Sequence, residues 1–190
     1  MDAPQSTSRL LRLATLDDAA AIAVLIDASV RGLGRGYYSD AQIDASLRHM
    51  FGVDSQLIRD RTYHVVEDGG EIVAAGGWSA RRTLFGGDRY KSDVDDQLDP
   101  ATEPARIRAF YVHPAHARQG LGRMLFRCCA RAAYAAGFRR LELVATLPGE
   151  PLYRTLGFTV VEPVVVPLSG EILMDCLRMS RDLVAADGAA

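Results

Sequence analysis

Val112-His113-Pro114-Ala115-His116-Ala117-Arg118-Gln119-Gly120-Leu121-Gly122-Arg123 is the stretch on which the reading of this chain turns. An apolar run at 107–112 leads into it and reads as a strand, and the spacing over 121–136 predicts an amphipathic helix. A strand thus feeds a glycine-containing turn and then a helix N-terminus. The first N–H groups of a helix have no internal partner, and small residues let an anion approach them. Arg118 and Arg123 add positive charge. Cations at that end oppose the helix dipole, a conflict that a bound phosphate removes. The turn suits a polyanionic ligand.

Charge distribution points the same way. The chain carries 22 Lys+Arg against 24 Asp+Glu, a formal net charge of -2. Residues 104–141 nevertheless contain no acidic side chain and hold Arg106, Arg108, Arg118, Arg123, Arg127, Arg131, Arg139 and Arg140. Such segregation in a mildly acidic protein marks a local anion site rather than a nucleic-acid surface, which needs a broadly basic domain. Arg127 and Arg131, four apart, are expected on a solvated helix face. The pair Gly120 and Gly122 lacks the third glycine of the dinucleotide fingerprint, and no phosphate loop ending in Gly-Lys-Ser/Thr is present.

What remains resembles the acetyl-CoA-binding signature of the GNAT acyltransferase superfamily. The match comprises Val112, Pro114, Gly120 and Gly122, with Arg118 and Gln119 before the first glycine; Ala117 stands where the family usually has Arg or Gln. Downstream, Leu152-Tyr153-Arg154-Thr155-Leu156-Gly157-Phe158 is similar to the family's Phe/Leu-Tyr-x-x-x-Gly-Phe segment. Together the two motifs cover residues 106–161. The resemblance implies the GNAT fold, with helices on both faces of a mixed central sheet whose fourth and fifth strands splay apart. It implies acetyl-CoA as co-substrate, its pantetheine arm held by the backbone of Phe110, Tyr111 and Val112. The pyrophosphate would lie at Arg118, Gln119, Gly120, Leu121, Gly122 and Arg123. Thr146 occupies the place of a frequent asparagine that contacts the pantetheine arm. Tyr153 matches the tyrosine proposed to protonate the departing thiolate.

Size and pattern agree. At 190 residues the chain is expected to be a single domain, 1–190, with an insertion at about 81–105. No run approaches a membrane span and residues 1–9 lack a secretory core, which indicates a cytoplasmic protein with no membrane partner. Cys128, Cys129 and Cys176 lack metal-ligand spacing and read as reduced core residues, with no metal required. Strands are predicted at 10–13, 63–67, 71–78, 107–112 and 141–145, with an antiparallel pair at 159–166 and 172–179 closing the sheet. Asp68-Gly69-Gly70 signals a hairpin. Helices are predicted to about residue 28 after a cap at Thr15 or Asp17, at 41–50 after Ser39, and at 55–59, 121–136 and 151–156. Gly32-Leu33-Gly34-Arg35-Gly36 reads as a flexible link, Gly137 as a left-handed helix stop, and 184–190 as a frayed tail. The order gives α/β layers around a mixed sheet.

The resemblance implies an N-acetyltransferase that moves an acetyl group from acetyl-CoA to an amine-bearing small molecule or peptide, by direct attack in a ternary complex. A non-catalytic acyl-CoA sensor and a nucleotide-binding regulatory module are the alternatives, and a homodimer is admitted. Glu103, His113 and Tyr111 acting through water are the candidate bases. The insertion carries Asp88, Asp93, Asp95, Asp96, Asp99 and Glu103, so it reads either as a solvated loop or as an acidic lid attracting a cationic acceptor. Trp78, Phe85 and Tyr90 are candidate apolar walls.

Overall fold

The computed structural model describes residues 9–90 and 95–188; Asp93 and the last two residues lie outside them. Alternating apolar runs become β1 (Leu10–Leu13), β2 (Tyr63–Asp68), β3 (Glu71–Ser79), β4 (Ala105–Val112), β5 (Arg140–Thr146), β6 (Thr159–Ser169) and β7 (Ile172–Asp182). They form one sheet in the order β1-β2-β3-β4-β5-β7-β6. Every neighbouring pair is antiparallel except β4 with β5, so the sheet is mixed. The β2–β3 hairpin turns at Gly69 and Gly70, both at positive φ, as its sequence signal requires.

Helices cover both faces. α1 (Ala19–Gly34) and α3 (Ser55–Arg59) bury Ile22, Leu25, Ile26 and Leu57 against Tyr63, Val65, Ala75 and Tyr111. α4 (Leu121–Ala135) packs Leu121 and Leu125 on Val66, Val73 and Ala74, and Phe126, Cys129 and Ala133 in the core around Leu141 and Leu143. Its Arg127 and Arg131 are exposed, as the four-residue spacing predicts. α2 (Asp40–His49) begins with Ser39 and Gln42 capping each other, Gln42 N donating to Ser39 Oγ at 3.2 Å. α5 (Glu150–Thr155) and α6 (Ala185–Gly188) complete the order.

Several expectations are corrected. The 32–36 stretch is not a link throughout, because α1 runs on to Gly34. A Cβ on Gly32 would stand 2.2 Å from Pro114 Cγ, so this glycine lets the helix lie against the turn after β4, and packing overrides helix propensity. Ahead of α1, Thr15 caps a 3-10 turn over Leu16–Asp18, its N–H donating to Asp18 Oδ2 at 2.7 Å, and Asp18 rather than Asp17 is the N-cap of α1 itself. The tail is helical at 185–188, where Asp187 accepts from Arg181 at 2.8 Å and from Val184 N at 2.9 Å. Gly137, at φ 97, ends α4 as expected. The closing hairpin is longer than its pattern suggests, and Pro163 and Pro167 lie on β6, the sheet edge.

Within the insertion the carboxylates of Asp95, Asp99 and Glu103 serve the loop itself, and that of Asp88 the start of α3. Asp88 accepts Ser55 N at 3.0 Å, Asp95 accepts Thr83 N at 2.8 Å, Asp99 accepts Ala101 N at 2.9 Å, and Glu103 pairs with Arg82 at 2.6 Å. Such side-chain-to-backbone bonds are how Asp stabilises turns. Trp78 is buried against Phe138, which makes it core.

Candidate active site

Two local features of β4 open the sheet. Its parallel pairing with β5 consists of Ala105↔Leu141 and Arg106↔Glu142. At the second pair Arg106 donates to Glu142 Oε2 at 2.7 Å, and the other Glu142 oxygen accepts from Arg178. Beyond this junction β4 carries a bulge: Ala75 pairs with Tyr111 but Gly77 with Arg108, so Ala109 and Phe110 oppose Gly76 alone. Ala109 adopts φ 55, and Tyr63 Oη donates to its carbonyl at 3.0 Å. Gly76 is required here, since a Cβ would stand 2.7 Å from the Phe110 ring. The two strands diverge past the bulge, and a cleft of about 720 Å³ occupies the gap.

The turn singled out in the sequence lies at this cleft. Arg118, Gly120, Leu121, Gly122 and Arg123 border it, joined by His116. Gly120 is the N-cap of α4 at φ 83, a conformation that favours glycine, and Arg118 adopts φ 63. Gln119 does not line the cleft; its Oε1 accepts from Arg9 and its Nε2 donates to Ala115 O at 3.2 Å. Gly122 has a role the motif alone does not reveal. A Cβ there would meet Leu152 Cδ2 at 2.7 Å, so this glycine seats α5 against α4. A bulky replacement would displace Leu152 before it met any ligand.

The β4 wall presents backbone. His113 N donates to Val73 O on β3, so by alternation the Val112 N–H is directed away from β3, to the open side. Ser29 Oγ of α1 accepts the Val112 N–H at 3.2 Å, a partner too distant along the chain for local pattern to reveal. Phe110, Tyr111, Val112, Thr146 and Tyr153 all border the cleft.

Tyr153 is buried, 5.7 Å from the Phe158 ring and 6.4 Å from that of Phe110. Among the described residues its hydroxyl has no hydrogen-bond partner. Tyr38, also at the cleft, differs: its hydroxyl donates to Asp175 O at 2.7 Å and accepts from Leu147 N at 2.8 Å. Burial raises the Tyr153 pKa well above that of a free phenol, which keeps its proton in place. Of the three candidate bases only Tyr111 borders the cleft. Glu103 is committed to Asp99 N and Arg82, which hold its carboxyl below the usual range. His113 Nδ1 accepts Ala115 N at 3.3 Å.

A second set of lining residues is apolar: Leu33, Tyr37, Met50, Phe51, Leu84 and Phe85. Phe85 is thus a cleft wall as expected, stacked 5.1 Å from Tyr90. Arg108 lies among them, buried and paired with Asp54 at 2.8 Å. The sequence reading missed this pair because its members are distant in the chain. It also missed His64, whose Nε2 lies 3.3 Å from Cys128 Sγ. Burial raises the Cys128 pKa, so this contact does not generate a thiolate.

Comparison with known proteins accounts for this arrangement. Residues 35–158 match the acetyltransferase (GNAT) family. A GCN5-related N-acetyltransferase from Rhodopseudomonas palustris superposes with a TM-score of 0.66 at 20% identity, covering 95% of this chain and 100% of that one. The PaiA N-acetyltransferase of Thermoplasma acidophilum, solved in complex with coenzyme A, gives 0.61 at 12% identity over 92% and 99%. The ribosomal-protein-S18-alanine N-acetyltransferase of Escherichia coli gives 0.56 at 15% over 93% and 94%. At these identities the likeness is one of fold. Among curated proteins no sequence matches.

Proposed function

The chain belongs to the GNAT acetyltransferase family, and from that premise we propose that it is a single-domain N-acetyltransferase using acetyl-CoA and an amine acceptor. The observation that carries this reading is the gap between β4 and β5, with the N-terminus of α4 at the same cleft. The residues fit an acyl-CoA. Backbone N–H groups at 118–123, with Arg118 and Arg123, suit its pyrophosphate. Phe110, Tyr111 and Val112 offer backbone along an opened strand, and Thr146 faces the same cleft.

Acetyl-CoA supplies the acyl group as a thioester; the protein supplies placement and charge stabilisation. Phe110 and Val112 N–H groups stabilise charge developing on the carbonyl oxygen, an effect worth about 3 kcal/mol per donor. The Val112 N–H, held by Ser29 Oγ at 3.2 Å, takes this role when the Ser29 side chain turns to another rotamer. Tyr153 donates a hydrogen bond to the departing sulfur, and its high pKa keeps it a donor across the working pH range.

The test is release of thiol from acetyl-CoA in the presence of an amine panel, with calorimetry of CoA binding alongside. Acetylated amine, identified by mass, is the expected result. Tight CoA binding with no thiol release on any amine would instead make the chain a sensor.

A further inference from the structure

The apolar part of the cleft narrows the choice of acceptor. Leu33 comes from α1, Tyr37 from the turn after it, Met50 and Phe51 from the end of α2, and Leu84 and Phe85 from the insertion. Met50 is buried, Leu33, Phe51, Leu84 and Phe85 are half-buried, and Tyr37 is 52% exposed. Partly exposed apolar side chains from four separate segments converge on one opening, which is the surface an apolar ligand covers. Three of them are aromatic and offer stacking faces.

Charge excludes as much as shape selects. Among the described residues that line the cleft none is acidic. His116, Arg118 and Arg123 belong to the turn at 113–123, and the remaining cation, Arg108, is matched by Asp54 and donates to Gly86 O at 2.6 Å. A second ammonium group on the acceptor would therefore lose its water without gaining a counter-ion, a costly transfer. A lone amine is helped by the same surroundings, because desolvation favours the uncharged form that carries the nucleophilic pair.

We propose that the acceptor is a monoamine on an aromatic or branched aliphatic skeleton, rather than a polyamine or a lysine side chain in a basic segment. This rests on the acetyl-transfer reading above. The amine nitrogen bonds to the thioester carbonyl carbon, the carbon–sulfur bond breaks with its electron pair on sulfur, and the proton lost by nitrogen balances the one gained by sulfur. The products are an amide and free CoA thiol.

The test compares phenethylamine, butane-1,4-diamine and the side chain of an N-blocked lysine amide as acceptors at saturating acetyl-CoA. Phenethylamine should exceed both in kcat/KM by at least ~30-fold, the scale of burying one phenyl group. Phe85→Ala and Tyr37→Ala should each raise its KM by about 5-fold or more while the KM for acetyl-CoA stays constant. Tyr37 is more than half exposed, so its variant probes the wall without disturbing the core. Equal or better turnover of the diamine or the lysine amide overturns the acceptor assignment and leaves acetyl transfer standing. Absence of thiol release with all three and with the wider panel, while acetyl-CoA still binds, overturns both.

Discussion

A buried hydroxyl is costly unless it finds a partner, and the two cleft tyrosines meet that demand differently, the Tyr153 hydroxyl by reaching the open cleft. Tyr38 ties its hydroxyl to Asp175 O and Leu147 N, whereas Tyr153 borders the cleft with none among the described residues. Tyr153→Phe keeps the ring packed on Phe158 and removes only the donor. It should lower kcat by at least ~10-fold, with CoA affinity by calorimetry and thermal stability nearly unchanged. His64 supplies a pH test. Burial, aided by Arg131, lowers its pKa below the ordinary 6.5, so the unfolded chain binds the proton more readily. The stability it contributes is therefore complete above about pH 6.5 and is lost as pH falls through and below that value. Denaturant midpoints measured from pH 7 to 5 should fall less steeply for His64→Asn than for the parent protein. At this scale the family resemblance singled out Tyr153 and the two turn glycines, all of which border the cleft. Ser29, Tyr38 and the Arg108–Asp54 pair were invisible, because each finds its partner far along the chain.

Elements were legible where local pattern and tertiary packing agree. The cap at Ser39, the stop at Gly137 and the β2–β3 turn all carry their own signals. α1 escaped that logic, since its last turn depends on Pro114 packing where Gly32 has no side chain. The bulge in β4 escaped it too: nothing in Ile107-Arg108-Ala109-Phe110 announces an extra residue, yet it decides which side chains reach the cleft. The β4–β5 junction rests on Glu142, almost fully buried between Arg106 and Arg178. Glu142→Ala would leave Arg106 uncompensated, and breaking such a buried pair costs about 3 kcal/mol or more. Chemical denaturation should record that loss, and the KM for acetyl-CoA should rise as the junction loosens. Glu142→Gln, which retains an acceptor oxygen, should lose less on both measures.

For the molecule as a whole, the basic segment at 104–141 proved to be several things. Arg118 and Arg123 border the cleft, Arg106 and Arg108 are paired with Glu142 and Asp54, and Arg127 and Arg131 are exposed. The acidic insertion likewise contributes Leu84 and Phe85 to the cleft, while its Asp95 and Asp99 accept backbone N–H groups of the loop and Asp88 that of Ser55. Charge counting along a chain does not resolve such local pairings. A ligand bridging diverged strands should stabilise the entire fold. CoA at 100 times its Kd adds about 2.7 kcal/mol, which for this size corresponds to a Tm rise of roughly 5–10 °C, read by calorimetric melting; no rise would remove CoA from the cleft. The open ends of the sheet have a further consequence for colloidal behaviour. β1 has only four residues at one end, and at the other β6 places Pro163 and Pro167 opposite Leu177 and Leu173. A proline paired within a ladder must turn its nitrogen outward, and positions 163, 165 and 167 share that direction. Val165 alone of these three can donate to an incoming strand. Val161, Val165 and Leu173 are exposed beside it, so this border is greasy yet cannot template polymerisation. Replacing both prolines with threonine should restore the missing donors and produce concentration-dependent fibrils or sheet-extended association in light scattering, beyond any seen for the parent protein.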